Sequence, residues 1–126
     1  MELREISSKI TVSPQVTKKD VAEIKTKGFR AIICNRPDGE GADQPSFEEI
    51  NAAAKLAGIE ARYLPVQSGM VTDEDVAAFR DALEELPRPL LAYCRSGTRS
   101  ATLWSLSEAQ SRPMSEILTA TKAAGF

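Results

Sequence analysis

Four short apolar runs, with helix-like stretches between and after them, constrain this chain more than anything else in it. The runs are Lys9-Ile10-Thr11-Val12, Phe29-Arg30-Ala31-Ile32-Ile33-Cys34-Asn35, Ile59-Glu60-Ala61-Arg62-Tyr63-Leu64-Pro65-Val66 and Leu90-Leu91-Ala92-Tyr93. Each intervening stretch carries a start signal. Thr17 stands three residues before Asp20, Ser46 three before Glu49, and Thr72 three before Asp75, the spacing of a capping box. Apolar residues then recur at helical spacing: Val21 and Ile24; Phe47, Ile50, Ala54 and Ala57; Val76, Phe79, Leu83 and Leu86. Gly28 and Gly58 end the first two helices, and Pro87 and Pro89 end the third. Strands alternating with helices predict an α/β domain. Its sheet is mostly parallel, four- to five-stranded and flanked by helices on both faces. The first run, followed by Ser13-Pro14-Gln15, reads as an edge strand, because proline suits a strand end. Two more helices are expected, from Thr98 to Gln110 and, after the break at Pro113, from Met114 to Ala124.

Residues 1–126 read as one domain, with no repeats or linkers, and 42% hydrophobic residues suffice for a core without disulfides or metal. A net charge of −2 with no Lys/Arg run gives no sign of nucleic acid as a partner, and no apolar run approaches a bilayer-spanning length. The charged N-terminus lacks the apolar stretch of a secretory signal, and two cysteines do not make a disulfide scaffold, so a reducing, cytoplasmic setting is expected. The chain has no histidine, which removes His-based zinc sites, Ser-His-Asp triads and Cys-His dyads together. No cofactor or metal is expected.

In a parallel sheet, binding loops gather at the carboxyl ends of the strands. Cys34-Asn35, Pro65-Val66-Gln67 and Cys94 all fall there. The strongest candidate is Cys94-Arg95-Ser96-Gly97-Thr98-Arg99-Ser100, a thiol at the end of an apolar run, followed by a glycine-containing loop and a helix start. The thiolate is the reactive form of cysteine, and a helix N-terminus beside cations favours it. Converging backbone N–H groups in such a loop also hold an anion. Cys94 is therefore the expected nucleophile, and Arg95, Ser96, Gly97, Thr98, Arg99 and Ser100 are expected to form the anion cradle. Gly97 is expected to supply the positive φ that lets the N–H groups converge. Arg99, a cation where the helix dipole disfavours one, argues for an anion nearby. Ser100 is a candidate to hydrogen-bond the Cys94 sulfur.

Possible accessory residues are Cys34, Asn35, Arg36 and Asp38. Cys34 reads either as a core thiol or as a resolving thiol, if its strand neighbours that of Cys94. Asn35, Arg36 and Asp38 read either as turn residues or as one wall of the site, with Asp38 the best spare acid. Trp104, Tyr63 and Tyr93 read as packing residues.

The Cys-Arg-x-Gly-x-Arg loop resembles the six-residue active-site loop of rhodaneses, which are sulfurtransferases. It also resembles the Cys-x5-Arg loop of tyrosine and dual-specificity phosphatases, but Arg99 comes one residue early, Ser100 takes the arginine's place, and Tyr93 stands where histidine usually precedes the cysteine. The phosphatases' general acid, normally an aspartate on the loop after the preceding strand, is missing from Pro65-Val66-Gln67-Ser68-Gly69. Nearly the whole chain is similar to the phosphatase-like domain of the bacterial beta-lactamase-hydrolase-like family. The resemblance rests on Ser13-Pro14-Gln15, Gly28-Phe29, Asn35-Arg36-Pro37-Asp38-Gly39, Gln44-Pro45-Ser46-Phe47 and Leu91 to Ser100. It implies a dual-specificity-phosphatase-like fold with a rhodanese-type loop. It also implies a setting in sulfide or persulfide detoxification, with a metallo-β-lactamase-fold persulfide dioxygenase as fusion or partner. The expected reaction is sulfur transfer through a Cys94 persulfide, from a small anionic sulfur donor to a thiol acceptor. The alternatives are a phosphatase acting through phospho-Cys94 and a persulfide or redox carrier without turnover.

Overall fold

The computed structural model describes residues 1–126 except Gln110 and Ser111. Among the described residues, five strands and five helices follow in this order: β1 (Arg4–Glu5), β2 (Ile10–Ser13), α1 (Lys18–Thr26), β3 (Ala31–Cys34), α2 (Phe47–Ala57), β4 (Glu60–Tyr63), α3 (Asp73–Glu85), β5 (Leu90–Tyr93), α4 (Thr98–Glu108) and α5 (Met114–Ala123). They form one sheet of order β1-β2-β5-β3-β4, parallel throughout except for the antiparallel β1–β2 pair.

The sheet agrees with the expected fold and corrects one position in it. β2 is not an edge strand: Arg4–Glu5, too short to show an alternating pattern, pairs outside it with Arg4 opposite Val12. β5 consequently lies between β2 and β3, with Leu90 level with both Ile10 and Ala31. All four of its residues are buried, which is why that stretch reads as a continuous apolar run.

Side-chain alternation along the strands builds two cores. Ile32, Cys34, Leu91 and Tyr93 pack against Val21 and Ile24 of α1 and Ile50 and Ala54 of α2. Ile33, Leu90 and Ala92 pack on the other face against Phe79, Ala82, Leu103, Trp104 and Ile117, from α3, α4 and α5. In α3 the buried face is Phe79 and Ala82, with Val76 and Leu83 only half-buried at its sides.

Thr17–Asp20 and Thr72–Asp75 form complete capping boxes. Ser46 forms half of one: it accepts from the N–H of Glu49, while the N–H of Phe47 goes to Asp38 Oδ1 at 2.8 Å. The α4 helix ends at Glu108. The predicted end at Gln110 lies outside the described residues.

Candidate active site

Parallel pairing brings the carboxyl ends of β2, β5 and β3 to one rim, and backbone hydrogen bonds continue past the strands. The N–H of Asn35 donates to Tyr93 O (2.8 Å), that of Val66 to Asn35 O (3.0 Å), that of Cys94 to Ser13 O (3.4 Å) and that of Gln15 to Arg95 O (3.4 Å). The three rim segments expected from sequence therefore do meet, and a fourth, Ser13-Pro14-Gln15, joins them.

Cys94 is fully buried, at 0% exposure, and turns toward the start of α4. The Gly97 N–H donates to its Sγ at 3.0 Å. Gly97 has φ +92° and closes the loop as the residue preceding α4, so its backbone requires glycine. A Cβ there would also come within 3.3 Å of Phe126 and 3.5 Å of Ser13 O. The expected role of Gly97 is thus visible in the geometry: the loop folds back so that a backbone donor meets the sulfur. Ser96 and Thr98 are exposed, joined by a 3.2 Å hydroxyl contact. Arg95 is exposed at the rim and its guanidinium has no ion-pair partner among the described residues.

Arg99 is held from two sides. Its Nη1 and Nη2 donate to Glu40 Oε2 and Oε1 at 2.8 and 2.7 Å, a two-pronged pair, and Nη1 also donates to Val66 O at 2.9 Å. Glu40 in turn accepts from Arg36 Nε at 3.0 Å, and Arg36 Nη1 donates to Gln15 Oε1, also at 3.0 Å. A continuous chain, Gln15–Arg36–Glu40–Arg99, thus wraps the site. The Arg99 hydrogen bond, followed by the neighbouring Arg36, holds the Glu40 carboxyl down at about 2. The same pair raises Arg99 above the ordinary guanidinium value, and the Cys94 sulfur beside it adds to the shift. Glu40 also answers the dipole argument: the anion that offsets a cation at this helix start is a side chain of the chain itself.

Glu40 is a site residue that sequence reasoning does not single out, although it places Arg36 and Asp38 beside it in a turn. The signals were Arg36 and Glu40 four residues apart, with Glu40 flanked by Gly39 and Gly41. A Cβ on Gly41 would stand 2.8 Å from Arg36 Nη2.

Ser100 corrects an expectation. It is buried at the sixth position after the cysteine, but its hydroxyl donates to Asn35 Oδ1 at 2.8 Å, not to Cys94. Asn35 completes the bridge by donating from Nδ2 to Leu64 O at 2.9 Å. Asn35 and Arg36 thus form a wall of the site as well as a turn. Asp38 is directed elsewhere: its carboxylate accepts from Phe47, its N–H donates to the Tyr63 hydroxyl, and Tyr63 stacks on Phe47 at 5.0 Å.

Cys34 lies level with Tyr93, on the α1/α2 side of the sheet, whereas Cys94 faces α4. Both cysteines are free thiols. Burial pushes the Cys34 thiol up, and its Sγ–H donates to Arg36 O at 3.3 Å. The Tyr93 hydroxyl is buried beside Cys34 without a hydrogen-bond partner among the described residues, and burial pushes its pKa up, suppressing its ionisation. No group of three or more Cys, Asp or Glu among the described residues is placed to hold a metal ion.

Comparison with known proteins adds the lineage. The family described as "Beta-lactamase hydrolase-like protein, phosphatase-like domain" matches residues 2–111. The chain belongs to that family. A beta-lactamase hydrolase-like protein of Agrobacterium fabrum is 35% identical over 109 residues, 86% of this chain. The chain spans only 25% of that relative's length. Among solved structures, a Neisseria meningitidis protein provisionally assigned as a phosphatase superposes with a TM-score of 0.89 at 37% identity. That match covers 100% of this chain and 90% of the other. TpbA of P. aeruginosa, solved in complex with phosphotyrosine, shares the fold with a TM-score of 0.73 at 16% identity, covering 98% of this chain and 75% of TpbA. The fold is therefore that of the tyrosine and dual-specificity phosphatases. Among the described residues no helix is long and apolar enough to cross a membrane.

Proposed function

We propose that the domain is a sulfurtransferase in which Cys94 carries a sulfane sulfur. The observation that supports this reading is the state of Glu40 and Asp38, the two acids on the segment that follows β3 and walls the site. Glu40 is bound to two arginines and held at about 2, so it carries no proton to donate near neutral pH. Asp38 is engaged at the start of α2. A site without a proton donor suits a leaving group that departs as a stable anion.

In the first step the Cys94 thiolate attacks the outer sulfur of thiosulfate or a similar donor. A Cys94–S bond forms, the donor's S–S bond breaks, and its electron pair leaves with sulfite. The resulting persulfide anion lies in the loop, next to the Gly97 N–H and the edge of Arg99 not occupied by Glu40. In the second step a thiolate acceptor attacks the terminal sulfur, forms its own persulfide and releases the Cys94 thiolate. No net proton transfer is required. Arg95, Ser96 and Thr98 line the entrance to this path. The sulfur donor and thiol acceptor are the partners this reading requires. The larger size of the Agrobacterium relative fits a second domain, such as a persulfide dioxygenase, supplying or consuming the sulfur. The reading places the chemistry in the cytoplasm.

A second reading, phosphoryl transfer through phospho-Cys94, is favoured by the family's description and by the fold of TpbA and its like. Against it stand the arginine one residue early and Ser100 turned to Asn35.

Mass spectrometry after thiosulfate treatment separates the two. The expected result is one added sulfur on Cys94, removed by a low-molecular-weight thiol and absent in Cys94→Ser. A phosphoryl adduct after treatment with an aryl phosphate, with no sulfur adduct from thiosulfate, overturns the proposal.

A further inference from the structure

A second feature lies at the opposite end of the sheet, away from Cys94. A cavity of about 480 Å³ opens where β2 and β5 begin, with Ile10 and Leu90 in its wall. The thiol follows the other end of β5, about 13 Å away by the rise of a four-residue strand. That volume is in the range of small-molecule sites.

The charge of this cavity is unbalanced. Lys9, Arg80, Arg88 and Arg112 line it, against Glu84 and Glu108. Only Arg112 is ion-paired among these cations, to Glu108 at 3.0 Å. The others have no carboxylate partner among the described residues. Arg80 donates from Nε to Ser107 O, and Arg88 donates from Nε and Nη2 to Leu83 O. Those carbonyls lie near the ends of α4 and α3, where a cation is favoured by the helix dipole. That accounts for one edge of each guanidinium and leaves further N–H donors, since arginine has five. Four cations against two carboxylates leave an excess of two positive charges. Trp104 lies behind the cavity wall, only 1% exposed, with the Arg112 guanidinium stacked over its ring at 5.7 Å.

We propose that this cavity binds an organic dianion, specifically a phosphate monoester whose body is aromatic. The phosphate would be held by Arg80, Arg88 and Lys9, and the aromatic body would lie on the outer face of the partly exposed Arg112 guanidinium, which covers Trp104. The inference is independent of the reaction at Cys94, because no residue of the Cys94 loop lines the cavity.

The chain's single tryptophan sits behind Arg112, so its fluorescence reports occupancy through that contact. Titration with AMP is expected to change Trp104 emission saturably, with a Kd below about 1 mM. Adenosine and inorganic phosphate, each offering half of the recognition, are expected to bind at least about 10-fold more weakly. Lys9→Gln combined with Arg88→Gln, both at exposed positions, should weaken AMP about 10-fold while circular dichroism and sulfur transfer stay unchanged. Prior alkylation of Cys94 should leave the titration intact. The proposal fails if AMP produces no saturable change up to 10-fold above that limit, if inorganic phosphate matches AMP, if the double variant binds AMP normally, or if alkylating Cys94 abolishes binding.

Discussion

Replacing Glu40 by glutamine removes one charge from the middle of the Arg36–Glu40–Arg99 bridge and leaves its shape nearly unchanged. The displacement of its carboxyl from 4.5 to about 2 corresponds at face value to about 3 kcal/mol. The side chain stands at the solvent edge, with 28% of its surface exposed, so screening reduces the share reaching stability to about 1 kcal/mol. For a domain of this size that lowers Tm by about 3–6 °C. The sign of the pH dependence follows from the direction of the shift. A carboxyl held below its unfolded value stabilises the fold fully above that value, and the contribution fades as pH falls through the folded one. The stability gap between wild type and Glu40→Gln should therefore be constant above about pH 5 and should close as pH approaches 2. For activity, an unclamped Arg99 must be ordered anew by each substrate, at about 1–2 kcal/mol of side-chain entropy. That predicts a loss of about 10-fold in kcat/KM for thiosulfate, appearing mainly as a higher KM. Steady-state kinetics and denaturant titrations from pH 3 to 8 measure both. An unchanged or improved kcat/KM would refute the reasoning, because Glu40 would then be competing with substrate for Arg99 instead of holding it.

Three further outcomes are expected. Gly97→Ala should lose about 1–2 kcal/mol, because a Cβ is strained at φ +92°; sulfur transfer should fall with it, as read by denaturant melts and by rates on the folded fraction. Ser100→Ala leaves Asn35 Oδ1 buried without its donor and should destabilise the fold by about 1–3 kcal/mol, with persulfide formation on Cys94 reduced much less than stability. Tyr93→Phe removes a buried hydroxyl with no partner among the described residues, so thermal melts should show it neutral or more stable by up to about 1 kcal/mol.

Much of this architecture is legible along the chain because local rules govern it. Thr17 and Thr72 begin helices where their capping partners stand three residues on, and the apolar run Leu90 to Tyr93 marks the central strand. The Cys94 loop is legible for a similar reason: its thiol, glycine and arginine lie within six residues. What stays hidden depends on residues far apart in sequence. Arg99 meets Glu40 across 59 positions, and Ser100 meets Asn35 across 65. Nothing within either segment indicates the partner, so Ser100 reads locally as a donor to the sulfur. The two-residue β1 is hidden by its brevity, and missing it misplaces β2 at an edge.

The position of β5 has a consequence for motion. Amides in a strand hydrogen-bonded on both sides and buried on both faces exchange with solvent chiefly through global unfolding. The strand ending at Tyr93 is such a strand, and Cys94 follows it directly. The nucleophile is thus anchored to the slowest-opening part of the molecule. Glu40, which steadies the neighbouring cation, stands on a solvent-facing loop that can open at far lower free energy. Deuterium uptake should separate the two by orders of magnitude in rate. Fluctuations of the site are then those of its wall, around a sulfur that stays in place.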